Sequence, residues 1–178
     1  TPANTFTLQM KGGMANYGAT PWYTEDIQLG NSPMKLALDS GANFIWATAD
    51  QCHTDACNAH REKVDTHRKT NSSFEWLDKQ TITQRSFGPW GNMYTKTGKV
   101  TFKSAETTDL NIPFFASATY TGNKFKTLNW GGGIGFPSAT DSVEDPSGFY
   151  FGAWYKQHPS ANPTFSIVTD PYSKSGSF

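Results

Sequence analysis

The stretch Leu36-Ala37-Leu38-Asp39-Ser40-Gly41 constrains this chain more than any other. An apolar run ends in a carboxylate on a glycine turn, and the chain becomes apolar again at Phe44-Ile45-Trp46. Asp before Ser-Gly is an ordinary turn, because Asp bonds its own backbone and Gly takes positive φ. A surface turn does not explain the flanks. A carboxylate among apolar neighbours costs several kcal/mol unless hydrogen bonds compensate it. Asp39 is therefore either less buried than its flanks suggest or held in a hydrogen-bonding network, the arrangement that catalytic carboxylates need.

Length and composition set the frame for that strand end. The 178 residues suit about one domain, long enough to bury a core of its own. Lys and Arg total 15 and Asp and Glu total 15, so formal charge is zero. Neither a basic stripe for nucleic acid nor a basic amphipathic helix for a membrane surface is present. No stretch approaches the roughly 18 consecutive apolar residues of a membrane span, and the N-terminus does not read as a signal peptide. Aromatics reach 15% while charged residues are only 17%, and Gly and Pro number 16 and 10. Short strands joined by tight turns follow, so the fold class is expected to be all-β with few short helices.

The order of elements can be read along the chain. Within residues 1–20, Phe6 and Leu8 alternate with threonines and suit an edge strand. Tyr23 to Leu29 and Met34 to Leu38 flank the turn Gly30-Asn31-Ser32-Pro33, a hairpin whose second strand delivers Asp39. Asn58 to Lys79 is polar and reads as a surface loop or short helix, with a glycosylation sequon at Asn71-Ser72-Ser73. A long hairpin over 81–102 has the tip Gly88-Pro89-Trp90-Gly91-Asn92. Ile112 to Tyr120 reads as a strand, and Trp130 to Pro137 as a segment whose glycines let backbone pass close to something. Phe149 to Gln157 could form a short helix, and Thr164 to Val168 a final strand before Asp170-Pro171.

Two chemistries compete at Cys52 and Cys57. A disulfide would close a small loop and imply an oxidising compartment, secreted, extracellular or periplasmic. A zinc site would draw nitrogens from His53, His60 and His67, but a single CxxxxC lacks the paired knuckles of a zinc module.

Taken in order, these motifs resemble the N-terminal lobe of a pepsin-family aspartic endopeptidase over roughly residues 22–178. The matches are Leu38-Asp39-Ser40-Gly41 followed by Asn43 and Ile45-Trp46, then the Cys52/Cys57 loop and Asn71-Ser72-Ser73-Phe74. The hairpin tip Phe87 to Asn92 is similar to the family's flap, and Gly131 to Phe136 to its Asp-Gly-Ile-Leu-Gly-Leu strand. Tyr23 to Gly30 resembles the family's Tyr-x-x-x-Ile-x-Ile-Gly hairpin, and Phe165-Ser166 and Ser175-Gly176-Ser177 its closing strand.

The resemblance implies a pepsin-like lobe over 1–178, with Asp39 as half of an aspartic dyad. In that chemistry one ionised carboxylate takes a proton from water while its protonated partner donates to the substrate carbonyl. Ser40 would lock the two catalytic loops, and Gly41 would admit the partner lobe's backbone. Phe87, Gly88, Trp90 and Gly91 would form the substrate-gripping flap, and Trp46 and Ile134 would support the cleft. Cys52 and Cys57 would be disulfide-bonded, and no metal or organic cofactor is implied.

The pattern also departs from the family. Phe87 replaces the flap tyrosine, the flap tip is one residue longer, Ala42 replaces a serine, and Gly131 replaces an aspartate. None of Asp78, Asp109, Asp141 and Asp170 lies in an Asp-Thr/Ser-Gly setting. The partner is therefore expected to be a C-terminal lobe on a separate chain from the same precursor, with a homodimer as the lesser alternative; the substrate is a polypeptide. Two other functions compete. One is an inactive pepsin-like protein that binds other proteins. The other is a carbohydrate-binding β module with Trp22, Trp90 and Trp130 on one exposed face.

Overall fold

The computed structural model describes residues 5, 7–12, 22–42, 44–59, 62–77, 81–106, 110–122, 124–127, 130–136, 154, 157–160, 164–170 and 172–178. They form a mostly β structure. The strands are β1 (Gln9–Gly12), β2 (Trp22–Leu29), β3 (Ser32–Asp39), β4 (Ile45–Thr48), β5 (Glu75–Trp76), β6 (Thr83–Ser86), β7 (Asn92–Lys103), β8 (Leu110–Tyr120), β9 (Gly132–Gly135), β10 (Val168–Asp170) and β11 (Ser175–Ser177), with one short helix, α1 (Asp55–Ala59). They join in one sheet ordered β10-β11-β1-β2-β3-β9-β4-β8-β7-β5, and β6 pairs beside β7.

Side-chain parity decides which face each residue serves. On β3, Leu36 enters the larger core, Ala37 the opposite, smaller cluster, and Leu38 packs on the larger core again. On β4, Ile45 and Ala47 enter the larger core and Trp46 the smaller cluster. Both β4 and β9 are buried along their whole length, as strands covered on two faces must be. Accordingly β9 runs parallel to β3 and antiparallel to β4, lying between them, while β4 runs parallel to β8.

The hairpin over Tyr23–Leu38 forms as expected, with the turn at Gly30-Asn31 and a bulge between Thr24 and Ile27. Other expectations need correction. The N-terminal strand is not an edge. β1 lies between β11 and β2, because the chain end returns to it: the Leu8 N–H donates to the Phe178 carbonyl at 2.7 Å, and the Phe178 N–H donates to the Leu8 carbonyl at 2.9 Å. The final strand starts later than expected, at Val168, and Phe165 instead stacks on Phe136 with ring centroids 5.4 Å apart. Of the expected helix over 149–157, only Trp154 and Gln157 fall among the described residues, and both are helical.

The polar segment after α1 is not a loose surface loop. Val64 bridges to Ala49, and Thr66, Asn71 and Phe74 are buried. The sequon asparagine is 1% exposed. The Asn71 Nδ2 donates to the carbonyls of Asp65 at 2.9 Å and Leu29 at 3.4 Å. A side chain committed in this way has no room for a glycan in the folded chain. It also fills the space beside Gly30, which adopts φ +67° where a Cβ would collide with it.

Candidate active site

Parity carries Asp39 to the cleft. Two residues after Ala37 on β3, it shares that residue's face, the face of Trp46 and the smaller aromatic cluster. Ser40 and Gly41 then turn the chain, and the Gly41 N–H donates to Asp39 Oδ1 at 2.9 Å. The Ala42 N–H reaches the Asp39 carbonyl at 3.3 Å. Asp39 is half-buried rather than sealed in the interior, so the burial suggested by its flanks is only partial. Leu36, on the opposite face of the same strand, belongs to the larger core, while Ala37, Phe44 and Trp46 share the face of Asp39.

The turn is braced from behind by β9. Asp39 is opposite Gly135, the Gly135 N–H donates to the Phe44 carbonyl at 2.9 Å, and the Phe136 N–H to the Ala42 carbonyl at 2.8 Å. This close approach explains the glycine run. A Cβ on Gly135 would lie 2.4 Å from the Ala42 carbonyl oxygen, and one on Gly133 would lie 2.4 Å from Trp46 Nε1. Ile134 does not reach the cleft; it is fully buried in the larger core and supports the turn from the far side.

A cavity of about 560 Å³ opens above this turn. Asp39, Gly41, Trp46, Phe87, Gly88 and Trp90 all line it. Ala37, Leu38, Ala42, Phe44, Ser86, Phe125, Trp130 and Gly133 complete its wall. Of the expected site residues, Ser40, Gly91 and Ile134 are not part of this lining. Ser40 is exposed.

The hairpin β6–β7 forms one side of the cavity, with Ser86 opposite Asn92. Its tip is a short 3-10 turn over Gly88–Trp90. The Phe87 N–H closes it on the Gly91 carbonyl at 2.9 Å. Gly91 has a framework role: at φ +118° it sits against Thr121, whose carbonyl oxygen would be 2.1 Å from an added Cβ. Trp90, expected in the flap, packs on the smaller cluster. Phe87 turns down onto Trp46 and Phe125, with ring centroids 5.6 and 5.8 Å away. The Trp46 indole N–H is buried without a hydrogen-bond partner among the described residues.

Several participants carried no motif that could announce them. Phe125 comes from a short 3-10 turn after β8 and stacks 4.7 Å from Tyr120. Tyr120 shares a 2.7 Å hydrogen bond with Thr48 Oγ1, and burial pushes its phenol up to about 12. Arg85, on β6, lays its guanidinium 3.3 Å from the centre of the Phe115 ring and 5.2 Å from that of Phe44. Burial against these rings lowers its pKa below the usual arginine value. The alternation Arg85, Phe87 on one strand end was the available signal for Arg85.

Cys52 and Cys57 are disulfide-bonded across α1, which removes the thiolates a zinc site would need. His60 lies outside the described residues. Asp50, Asp65 and His67 do converge: His67 Nδ1 is 2.9 Å from Asp50 Oδ2 and 3.4 Å from Asp65 Oδ1. The Thr66 hydroxyl also donates to Asp50, so the group staples a turn. Asp78, Asp109 and Asp141 lie outside the described residues. Asp170 caps an exposed turn, accepting from the Tyr172 N–H and the Ser173 hydroxyl at 2.9 Å each. Among the described residues, Asp39 is the acid in the cavity lining. Trp22, Trp90 and Trp130 do not share one exposed platform. Trp130 is 7% exposed in the smaller cluster, and Trp22 packs on the larger core. No helix among the described residues is long and apolar enough to cross a membrane. Compared with known proteins, the chain matches no protein-family model and no curated sequence.

Proposed function

We propose that this chain is one lobe of a pepsin-like aspartic endopeptidase, with Asp39 as one carboxylate of the dyad. The observation that carries the reading is convergence. Asp39 and Trp46, from the glycine turn, meet Phe87 and Trp90, from a hairpin tip more distant in sequence, around a single cavity. A half-buried carboxylate receiving a backbone N–H, under an aromatic hairpin, is suited to positioning a water beside an extended peptide. The second aspartate comes from a complementary chain, since two carboxylates about 3 Å apart must share a proton for the acid and base roles to separate. The exposed apolar residues Phe165, Ile167, Val168 and Tyr172 around β10 would be covered by that lobe. The disulfide fits an oxidising, extracellular or periplasmic setting.

One observation favours an inactive peptide-binding relative instead. Phe87 fills the tyrosine position by ring packing alone, and the Trp46 N–H is left without a partner among the described residues.

Intact mass of the native, non-reduced sample tests the two-chain composition. Peptide cleavage in acid, with and without pepstatin, tests the chemistry. A second polypeptide of similar size and pepstatin-sensitive cleavage support the reading, provided Asp39→Asn lowers the rate by at least about a thousandfold with the fold retained. Cleavage that survives Asp39→Asn, or a two-chain sample with none, would sink it.

A further inference from the structure

The Arg85 guanidinium is a charge beside this cavity that the dyad chemistry does not use. Its Nε donates to Thr95 Oγ1 at 3.3 Å, its plane covers Phe115, and Phe44 stands beside it. Phe44 and Phe115 are themselves packed edge to face, 4.9 Å apart. Phe44, which the guanidinium approaches, lines the cavity, while Arg85 itself stands just outside that lining. These contacts fix the position of the guanidinium but neutralise none of its charge. No Asp or Glu of the described residues pairs with it, and the aromatic surroundings strengthen any charge pair formed there. A fixed guanidinium fork with its terminal nitrogens unspent matches a carboxylate, which it can bind in two parallel hydrogen bonds.

We propose that Arg85 anchors an acidic side chain of the peptide bound in the Asp39 cavity, on the Phe44 side. This rests on the reading of the cavity as a peptide site and adds a charge preference to it. The bound segment carries a Glu or Asp next to apolar residues that occupy the aromatic wall.

Tryptophan fluorescence provides the readout, because Trp46 and Trp90 line the cavity. Short apolar peptides, each with one Glu at a different position, are titrated near neutral pH, where Glu is ionised, against twins carrying Gln. At least one Glu peptide should bind about tenfold tighter than its twin, the ratio expected of a charge-assisted bond. Arg85→Gln should bring that ratio to about one, and added salt should narrow it in the unmodified chain. Arg85→Lys should keep only part of it, because an ammonium lacks the planar fork. The proposal is overturned if no Glu peptide outbinds its twin, or if the ratio survives Arg85→Gln in a variant with native circular dichroism. Should Arg85→Gln unfold, Arg85→Lys decides, and a ratio that does not fall by at least about threefold overturns the proposal. Hydrolysis of the same peptides is scored separately, in acid and with the native two-chain sample. Discrimination without hydrolysis leaves the anion site standing and removes the protease reading, and hydrolysis without discrimination does the reverse.

Discussion

Tyr120 shows how one side chain ties the cavity to stability. Its ring packs beside Phe125 under the cavity, and its hydroxyl is committed to Thr48. Burial raises its pKa to about 12, against about 10 in an unfolded chain. The folded state therefore keeps a proton that the unfolded state loses. The associated stability is fully present below about pH 10 and is lost as pH rises towards about 12, on the order of 2–3 kcal/mol. Urea unfolding across that alkaline window should show the decline, and Tyr120→Phe should flatten it; an equal decline in the variant would assign it to other groups. Residue chemistry was only partly legible beforehand. The Asp-Ser-Gly turn was visible as a pattern, whereas the burial of Asn71 and its bonds to two carbonyls were not, because burial is not written in a tripeptide.

β9 is the element on which the site geometry depends. Its glycines allow it to lie between β3 and β4, with Gly133 against the Trp46 ring and Gly132 against the Trp46 carbonyl. Gly133→Ala should destabilise the chain by about 1–3 kcal/mol through overpacking and shift Trp46 fluorescence as the indole is displaced. Gly88→Ala makes the contrasting case. Nothing lies within 4 Å of its added Cβ, and only the φ of +56° opposes it. It should cost about 1–2 kcal/mol and leave the Trp46 environment unchanged. Thermal unfolding with emission spectra of both variants checks the pair, and an unshifted Trp46 in Gly133→Ala would contradict the packing described. The sequence showed only that this glycine segment passes close to something. Its neighbours could not be named, because parallel pairing joins strands remote in the chain.

At the scale of the molecule, stability should be graded across the sheet. β3, β4 and β9 are paired on both sides and largely buried, whereas β10 closes one end of the sheet with every residue exposed. Amide hydrogen exchange should be slowest in the first three and fastest in β10. Uniform protection, or a protected β10, would contradict the gradient. By itself the sequence determined the strand-rich class, the β2–β3 and β6–β7 hairpins and the acid at a strand end, because alternation and turn chemistry act between near neighbours. Tertiary structure alone decided that Asp39 faces a cavity, that Phe125 joins it while Arg85 packs on Phe44 beside it, that Ile134 faces away, and that the N-terminal strand is interior. Those outcomes depend on which distant strands pair and in what register, and a shift of one residue would turn every side chain of a strand to the other face.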